Sequence, residues 1–453
     1  MKILLVSANG LAAPYPVYPL GLDYVAAAVG PGHEVKVADV HLLPEPAALT
    51  ESIRAFGPDL VGLSLRNIDN TDLSAPEGFV GRYQALASVI REATAAPLVL
   101  GGSGFTLFPR EMMSAMGADY GIVGEGERFG LLVSALARGE KTPAFPGLIA
   151  AEVRPESGDA VSGPWKGGFG RRFDRNAPHV AFYLAKGGML NLQTRRGCPF
   201  QCIYCTYPHI EGRRSRFTAP EAAARTAMDL QEAGARYLFI TDSAFNADYA
   251  HSAAVGRAFE RLGLSIPWGA FFAPTRPPAD YYLRLADAGL RHVEFGTESL
   301  SDPVLFAYGK PFRTADVLES HQAARAAGVH AAHYFLLGGP GETRETLTRT
   351  LSNIDKLEKT VLFFFCGMRI YPHTRLYDMA IGEGQISEGT PLLEPVFYRS
   401  RDMDEREIVE KVEERRAGRS NWLIGAGGSE VASTLDRMYA RGYSGPLWEY
   451  LIR

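Results

Sequence analysis

TRRGCPFQCIYCTYPH, residues 194–209, sets Cys198, Cys202 and Cys205 within one span of eight residues. Thiolates held so close repel one another unless a cation neutralises them, and soft sulfur donors favour an iron–sulfur cluster or zinc. With 4 cysteines in 453 residues a disulfide framework is out of the question, so the triplet reads as a metal site. Its placement decides the fold. The triplet follows directly on the apolar run Met189 to Thr194, which reads as a strand, and the chain beyond it repeats the same strand-then-helix grammar.

Downstream, strand candidates recur at Tyr237 to Thr241, Trp268 to Ala273, His292 to Gly296, His330 to Leu336 and Val361 to Met368. Helical patterns at Pro220 to Ala233, Ala279 to Ala288 and Thr314 to Ala327 lie between them. Six such units predict a partial (β/α)6 barrel over residues 188–390, with its chemistry at the carboxyl ends of the strands, where the cysteine loop stands. Upstream, residues 1–138 alternate in the same way, with strands expected at Ile3 to Ser7, Glu34 to Asp39, Leu60 to Leu65, Pro97 to Leu100 and Tyr120 to Val123. That pattern predicts a doubly wound α/β domain with a ligand crevice at its strand ends. Residues 139–187, rich in Gly, Pro and charge and containing PWKGGFGRRFD, read as a linker wrapped on the surface. Residues 391–453 read as a mostly helical region.

A composition 46% hydrophobic and 22% charged is that of an ordinary soluble globular protein rather than a disordered or fibrous one, and a net charge of -4 argues against a general nucleic-acid binder. The opening MKILLVSANG is too short an apolar stretch for a signal peptide, and no later run reaches membrane-spanning length. The expectation is a cytoplasmic protein without a membrane partner, in a compartment where thiolates stay reduced.

Two metal readings compete. A cubane held by three cysteines keeps one iron open to chelate an amine and a carboxylate. A structural zinc would need a fourth ligand, and His209, four residues after Cys205, could complete a Cys3His tetrahedron. Cys366, in VLFFFCGM, reads as a buried strand residue.

CPFQCIYC resembles the CxxxCxxC signature of radical S-adenosylmethionine enzymes, including aromatic Tyr204 before the last cysteine. The resemblance extends over residues 188–390 and implies a [4Fe–4S] cluster on Cys198, Cys202 and Cys205 that cleaves S-adenosylmethionine. In FITDSAFN it implies Asp242 and Ser243 as contacts to the methionyl amine, and in VEFGTES it implies Glu298, with Ser299, facing the cosubstrate. In LLGGPGET it implies Gly338, Gly339 and Pro340 behind the adenosyl moiety, while in RIYPHTRLY His373 stands where glycine is common. An acid at a strand end can also simply cap the next segment, so Asp242 has a structural reading beside the functional one.

The first domain is similar to the Rossmann-like cobalamin-binding domains that precede many such enzymes. VGLSLRNIDN and LVLGGSGF place Ser64, Arg66, Asn67, Gly101 and Gly102 at neighbouring strand ends, and Gly124 and Glu125 follow the fifth. Small residues there let a bulky ligand lie against the backbone. Cobalamin domains of the familiar kind ligate cobalt with a histidine in a DxHxxG loop after the first strand. Here that loop is SANGLAAPYP, without histidine; DVHLLP mimics the motif after the second strand, and His41 is read as a surface residue. If cobalamin's lower face meets no histidine, Arg66 or Asn67 lies beneath it; the plain alternative pairs Arg66 with Asp69 or Asp72.

Together the resemblances imply methyl transfer to an unactivated carbon of a small-molecule substrate, through a deoxyadenosyl radical and methylcobalamin. The electron would come from a donor such as flavodoxin or ferredoxin. Rival readings keep both cofactors for a ring closure, ring contraction or oxidation, or replace them by a zinc-stabilised binding protein. Arg195, Arg196, Arg213, Arg214 and Arg216 either draw an anionic substrate or a reductant, form a solvated face or support the cosubstrate carboxylate; Tyr207, Phe271, Phe272, Tyr334 and Tyr371 either line the pocket or pack the barrel.

Overall fold

The computed structural model describes residues 1–11, 15–43, 45–151, 170–425 and 429–452. Residues 12–14 of the loop after the first strand, Pro44 of DVHLLP and 152–169 of the expected linker, with the beginning of PWKGGFGRRFD, lie outside the described residues. The chain forms two compact units. The first comprises Met1–Leu11, Tyr18–Asn70 and Gly78–Phe182; Thr71–Glu77 and the stretch ending at Val17 belong to the second, with everything from Tyr183 onward.

In the first unit the strands are β1 (Lys2–Ser7), β2 (Glu34–Asp39), β3 (Leu60–Ser64), β4 (Leu98–Gly101), β5 (Tyr120–Ile122) and β6 (Leu148–Ala150). They form one sheet in the order β2-β1-β3-β4-β5-β6, parallel except for β6. Ile3, Leu4, Leu5 and Val6 are all buried, as a strand covered on both faces requires. Strand succession reverses between β1 and β3, so the carboxyl ends of those two strands flank the crevice of a doubly wound sheet. The linker departs from the expectation of a surface wrap. Arg171 is buried against Asp23 at 2.8 Å, and Tyr18 donates to the same carboxyl at 2.9 Å. Burial raises the Asp23 pKa to about 6 against the pull of Arg171. The apolar rhythm of the neighbouring helix (Leu20–Val29) does not reveal that its one acid, Asp23, faces inward.

In the second unit the six expected strands are present as β7 (Met189–Leu192), β8 (Tyr237–Ile240), β9 (Trp268–Phe272), β10 (Leu290–Glu298), β11 (His330–Leu337) and β12 (Thr360–Cys366). A seventh, β13 (Trp422–Ile424), comes from the C-terminal region and pairs in parallel with β12. The order β13-β12-β11-β10-β9-β8-β7 is that of an open, parallel, barrel-like sheet. One face packs Phe335, Leu337, Leu362, Phe364 and Trp422 against helices Arg344–Ile354 and Glu405–Arg416.

The other face is aromatic: Tyr334 stacks on Phe363 with centroids 4.7 Å apart, and Phe239 meets Phe271 edge to face at 4.9 Å. Phe272, by contrast, packs among Phe245, Tyr282 and Phe295. The C-terminal region, expected to be mostly helical, thus also supplies a sheet strand and a short 3-10 turn (Leu447–Leu451). From that turn Trp448 donates its indole N–H to Glu294 at 3.0 Å, and Tyr334 donates to the other carboxylate oxygen at 2.9 Å. A buried carboxylate is tolerable only with such partners.

Candidate metal centre and active site

The cysteine loop leaves β7 and is clamped before the first thiol is reached. Asp242, at the end of β8 and fully buried, accepts from the amide and hydroxyl of Thr194 at 2.8 and 2.6 Å and from the amide of Arg195 at 3.1 Å. Burial raises its pKa, and the Thr194 hydrogen bonds oppose that rise. Arg195, also buried, donates to the carbonyls of Gly197 and Ala244 and to Ser215. Glu211 accepts from the Gly197 amide at 3.0 Å and from Gln193 at 3.1 Å. Gly197 itself has φ +86, and a Cβ there would stand 2.2 Å from the Arg214 carbonyl oxygen. Arg195 is therefore a brace of the loop rather than part of a solvated basic face; Arg213 and Arg214 are exposed.

Three thiols emerge from this braced loop, and all are free. Burial raises the pKa of Cys202 and pushes that of Cys205 up to about 12, with neighbouring cysteines adding to both. Such thiols ionise when a cation binds, as cluster ligation requires. Among the described residues no three His, Cys, Asp or Glu side chains converge as they would around one ion, and His209 lays its ring on His373 at 4.1 Å. The donor set, three soft ligands spread over a loop, fits a cluster that is larger than a single ion. His373 has φ +63, the left-handed conformation that favours glycine.

Beside Cys202 lies a compact polar group. Glu298, with φ +61 at a register shift between β10 and β11, accepts from the Tyr204 hydroxyl at 2.6 Å and from Lys310 Nζ at 2.9 Å. Lys310 also donates to the Tyr204 oxygen at 3.0 Å and stands 3.7 Å from Cys202 Sγ. Burial works against the Lys310 ammonium, but Glu298 and Cys202 outweigh it and its pKa lies above that of an ordinary lysine. Burial and the Glu298 carboxylate raise the Tyr204 phenol. A bulky residue in left-handed conformation is a strained position that only its surroundings can hold.

The remaining sequence candidates divide. Ser243 Oγ is buried without a hydrogen-bond partner. Ser299 is buried with its hydroxyl 2.9 Å from Thr350 and accepting from the Ser301 amide, which makes it part of the packing behind β10. Gly338, Gly339 and Pro340 are buried after β11; the Gly339 amide donates to Tyr308 Oη at 3.0 Å, and a Cβ on Gly339 would meet that oxygen at 2.6 Å.

Residues 192–354 match the Radical SAM superfamily, and residues 6–130 match the B12 binding domain. The chain belongs to the cobalamin-dependent radical S-adenosylmethionine enzymes. Its cofactors are a [4Fe–4S] cluster, S-adenosylmethionine and cobalamin. It is 26% identical to tryptophan 2-C-methyltransferase of Streptomyces laurentii over 80% of this chain and 72% of that protein. It is 28% identical to an uncharacterized methyltransferase of Pyrococcus horikoshii, over 84% of this chain and 83% of the relative. In fold it is similar to the radical S-adenosylmethionine methyltransferase TsrM of Kitasatospora setae, solved with cobalamin and a [4Fe–4S] cluster. The TM-score is 0.87 at 23% identity, covering 99% of this chain and 97% of that one.

For a cobalamin-dependent enzyme the first unit offers a fitting cradle. Ser64 ends β3 and Gly101 ends β4, while Gly102, with φ +102, approaches the backbone so closely that a Cβ would stand 2.5 Å from the Leu65 carbonyl oxygen. Gly124, φ +78, follows β5 and donates to Thr106 at 3.0 Å; Glu125 beside it is buried. Arg66 is exposed, its carbonyl held by Ser103 at 2.6 Å, and the Asn67 carbonyl accepts from Tyr83. His41 follows β2, one strand away from the β1/β3 crevice, and stacks on Phe182 at 5.1 Å.

Lys310, Glu211 and Asn9 escaped the sequence reading, and Arg195 was read there only as a member of a basic run. Lys310, Glu211 and Arg195 act through partners distant in the chain or through burial that a basic run conceals. Asn9, two residues past β1, has a buried Nδ2 without a partner; its one signal is its place after a strand at the switch point.

Among the described residues no helix is long and apolar enough to cross a membrane.

Proposed function

We propose that this enzyme transfers a methyl group to a carbon of a small-molecule substrate, with Cys198, Cys202 and Cys205 holding the cluster and the β3, β4 and β5 strand ends holding cobalamin. When bound, the cofactors supply one-electron cleavage of S-adenosylmethionine and a transferable methyl group. The chain's own contribution is placement. Asp242, Arg195 and Glu211 fix the loop that presents the thiols, and Glu298 and Ser243 offer polar atoms to the cosubstrate at the ends of β10 and β8. Gly338, Gly339 and Pro340 form the apolar backing for its adenosyl end. Gly101, whose missing Cβ would meet only the Ile122 carbonyl oxygen at 3.9 Å, would let the second cofactor approach the backbone, Gly102 closes the β3 and β4 strand ends on one another, and Arg66 or Asn67 would face the cofactor's lower side.

The observation that carries the reading is the braced triplet of free thiols beside Glu298 at the strand-end rim, in a chain that also matches the B12 binding domain. Methyl transfer to carbon is supported by the tryptophan 2-C-methyltransferase relative. Residues 1–138 as cobalamin domain, 188–390 as radical domain, a cytoplasmic setting and a flavodoxin- or ferredoxin-type donor complete the proposal. The test is anaerobic turnover of the reconstituted enzyme with candidate acceptors. Deoxyadenosine and S-adenosylhomocysteine formed in equal amounts with methylated product are expected; deoxyadenosine without S-adenosylhomocysteine would reject methyl transfer. Cys202→Ala should abolish both products and most of the bound iron.

A further inference from the structure

We infer that Lys310 is a positioning residue that sets the reduction potential of the cluster, through its charge and a hydrogen bond to the Cys202 sulfur. This rests on the reading of Cys202 as a cluster ligand. An ammonium has three N–H donors, and those of Lys310 have three acceptors in reach: Glu298 Oε1 at 2.9 Å, the Tyr204 hydroxyl at 3.0 Å and Cys202 Sγ at 3.7 Å. The side chain is only 6% exposed, so water screens these contacts little.

The geometry is also built to last. The Ile203 amide donates to the Tyr308 carbonyl at 3.0 Å, tying the cluster loop to the segment that carries Lys310. Between them Gly309, φ +68, comes so near that a Cβ would stand 2.7 Å from the Gln201 carbonyl oxygen. The Tyr308 hydroxyl in turn donates to the Leu336 carbonyl at 3.0 Å, anchoring the segment to β11. The backbone that carries Lys310 therefore cannot drift from the cluster loop without breaking these contacts, and its buried ammonium is held by Glu298 and Tyr204.

Hydrogen bonds to cluster sulfurs and local net charge are what set such potentials. Reduction adds one negative charge to the cluster, so a cation close by favours the reduced state and an anion disfavours it. Lys310 and Glu298 are the opposed pair here, and their removal acts in opposite directions. A role confined to holding the fold would give no such sign.

The test is a potentiometric titration of the reconstituted holoenzyme, followed by electron paramagnetic resonance of the reduced cluster, with S-adenosylmethionine omitted. Lys310→Met is expected to lower the ratio of reduced to oxidised cluster at fixed poise tenfold or more, a displacement of about 59 mV or more to lower potential for a one-electron couple. Glu298→Gln should shift it the other way, and Lys310→Arg, which keeps the charge, should stay near wild type. Iron and sulfide analysis of each variant separates loss of cluster from change of potential. A Lys310→Met protein with full iron and sulfide and an unmoved potential would overturn the inference, as would equal shifts in Lys310→Met and Glu298→Gln. Because no methyl transfer enters the measurement, failure of the proposed activity and failure of this role give different results.

Discussion

Asp242 holds Thr194 by two hydrogen bonds, from its amide at 2.8 Å and its hydroxyl at 2.6 Å, and so fixes the turn that leads into the cysteine loop. Removing a buried acceptor strands its donors at a cost of about 1–3 kcal/mol each. Asp242→Ala is thus expected to keep the fold but lose most of its iron on reconstitution. Asp242→Asn, which retains one acceptor oxygen and leaves the Thr194 hydroxyl free to turn round, should recover a good part. Iron and sulfide per chain are the measure; full cluster content in Asp242→Ala would remove the bracing role.

That bond also marks where the sequence stops being readable. The strands were legible because parallel strands covered on both faces are continuous apolar runs, as in Ile3 to Val6 and Tyr237 to Ile240. The cysteine spacing was legible because a metal site constrains residue type. Which way Asp242 turns at its strand end was not, since its partners lie 47 and 48 residues away. Strand β13 was hidden because three residues between a charged helix and a glycine carry too little pattern. Lys310 was hidden because its position follows from the close approach of Gly309 to Gln201, a tertiary fact.

Gly197 immediately precedes the first thiol, and its φ of +86 and the 2.2 Å approach of the Arg214 carbonyl oxygen to its missing Cβ leave no room for a side chain. Gly197→Ala must move either the loop or its Arg214 neighbour. Steric strain of this kind costs on the order of 1–3 kcal/mol. The expected outcome is a protein that reconstitutes with less than half the iron of wild type. Gly212→Ala, at φ +86 but with open space around it, is the control for backbone strain alone and should lose less. Equal losses in the two variants would count against the close approach as the cause.

Gly102 plays the same part in the first unit, with φ +102 and the Leu65 carbonyl oxygen 2.5 Å from where a Cβ would be. Displacing the β3 or β4 strand end should disturb the proposed cobalamin cradle and spare the cysteine loop. Gly102→Ala is expected to lose at least tenfold in cobalamin affinity, measured by absorbance of the retained corrin, while iron and sulfide stay at wild-type levels. Retention of both cofactors would show that the close approach of Gly102 to Leu65 does not shape the cobalamin site.

Thr297, His333 and His321 form a buried chain whose proton positions follow from one fixed acceptor. The Glu358 carbonyl can only accept, so His321 Nε2 carries the hydrogen across 3.0 Å. Its Nδ1 must then accept from His333 Nε2 at 3.0 Å, and His333 Nδ1 accepts from the Thr297 hydroxyl at 2.7 Å. A proton added to either ring must reverse or break hydrogen bonds of the chain. Burial lowers the His321 pKa to about 4 and holds that of His333 well below its ordinary value. The unfolded chain takes up these protons from pH 6.5 downward while the native one does not, so their stabilising effect is complete above 6.5 and is lost as pH falls toward 4. The loss is roughly 1.4 kcal/mol per histidine for each pH unit well below 6.5. Burial raises the carboxyls of Asp23 and Glu342 to about 6 and 7, which acts in the opposite direction over part of the range. The histidine effect is therefore read as a difference between wild type and His321→Leu/His333→Phe in denaturant unfolding at pH 7.5 and 5.5. Whatever stability gap the substitution opens at the higher pH should narrow at the lower one; parallel pH profiles would mean that neither ring is held neutral by the fold.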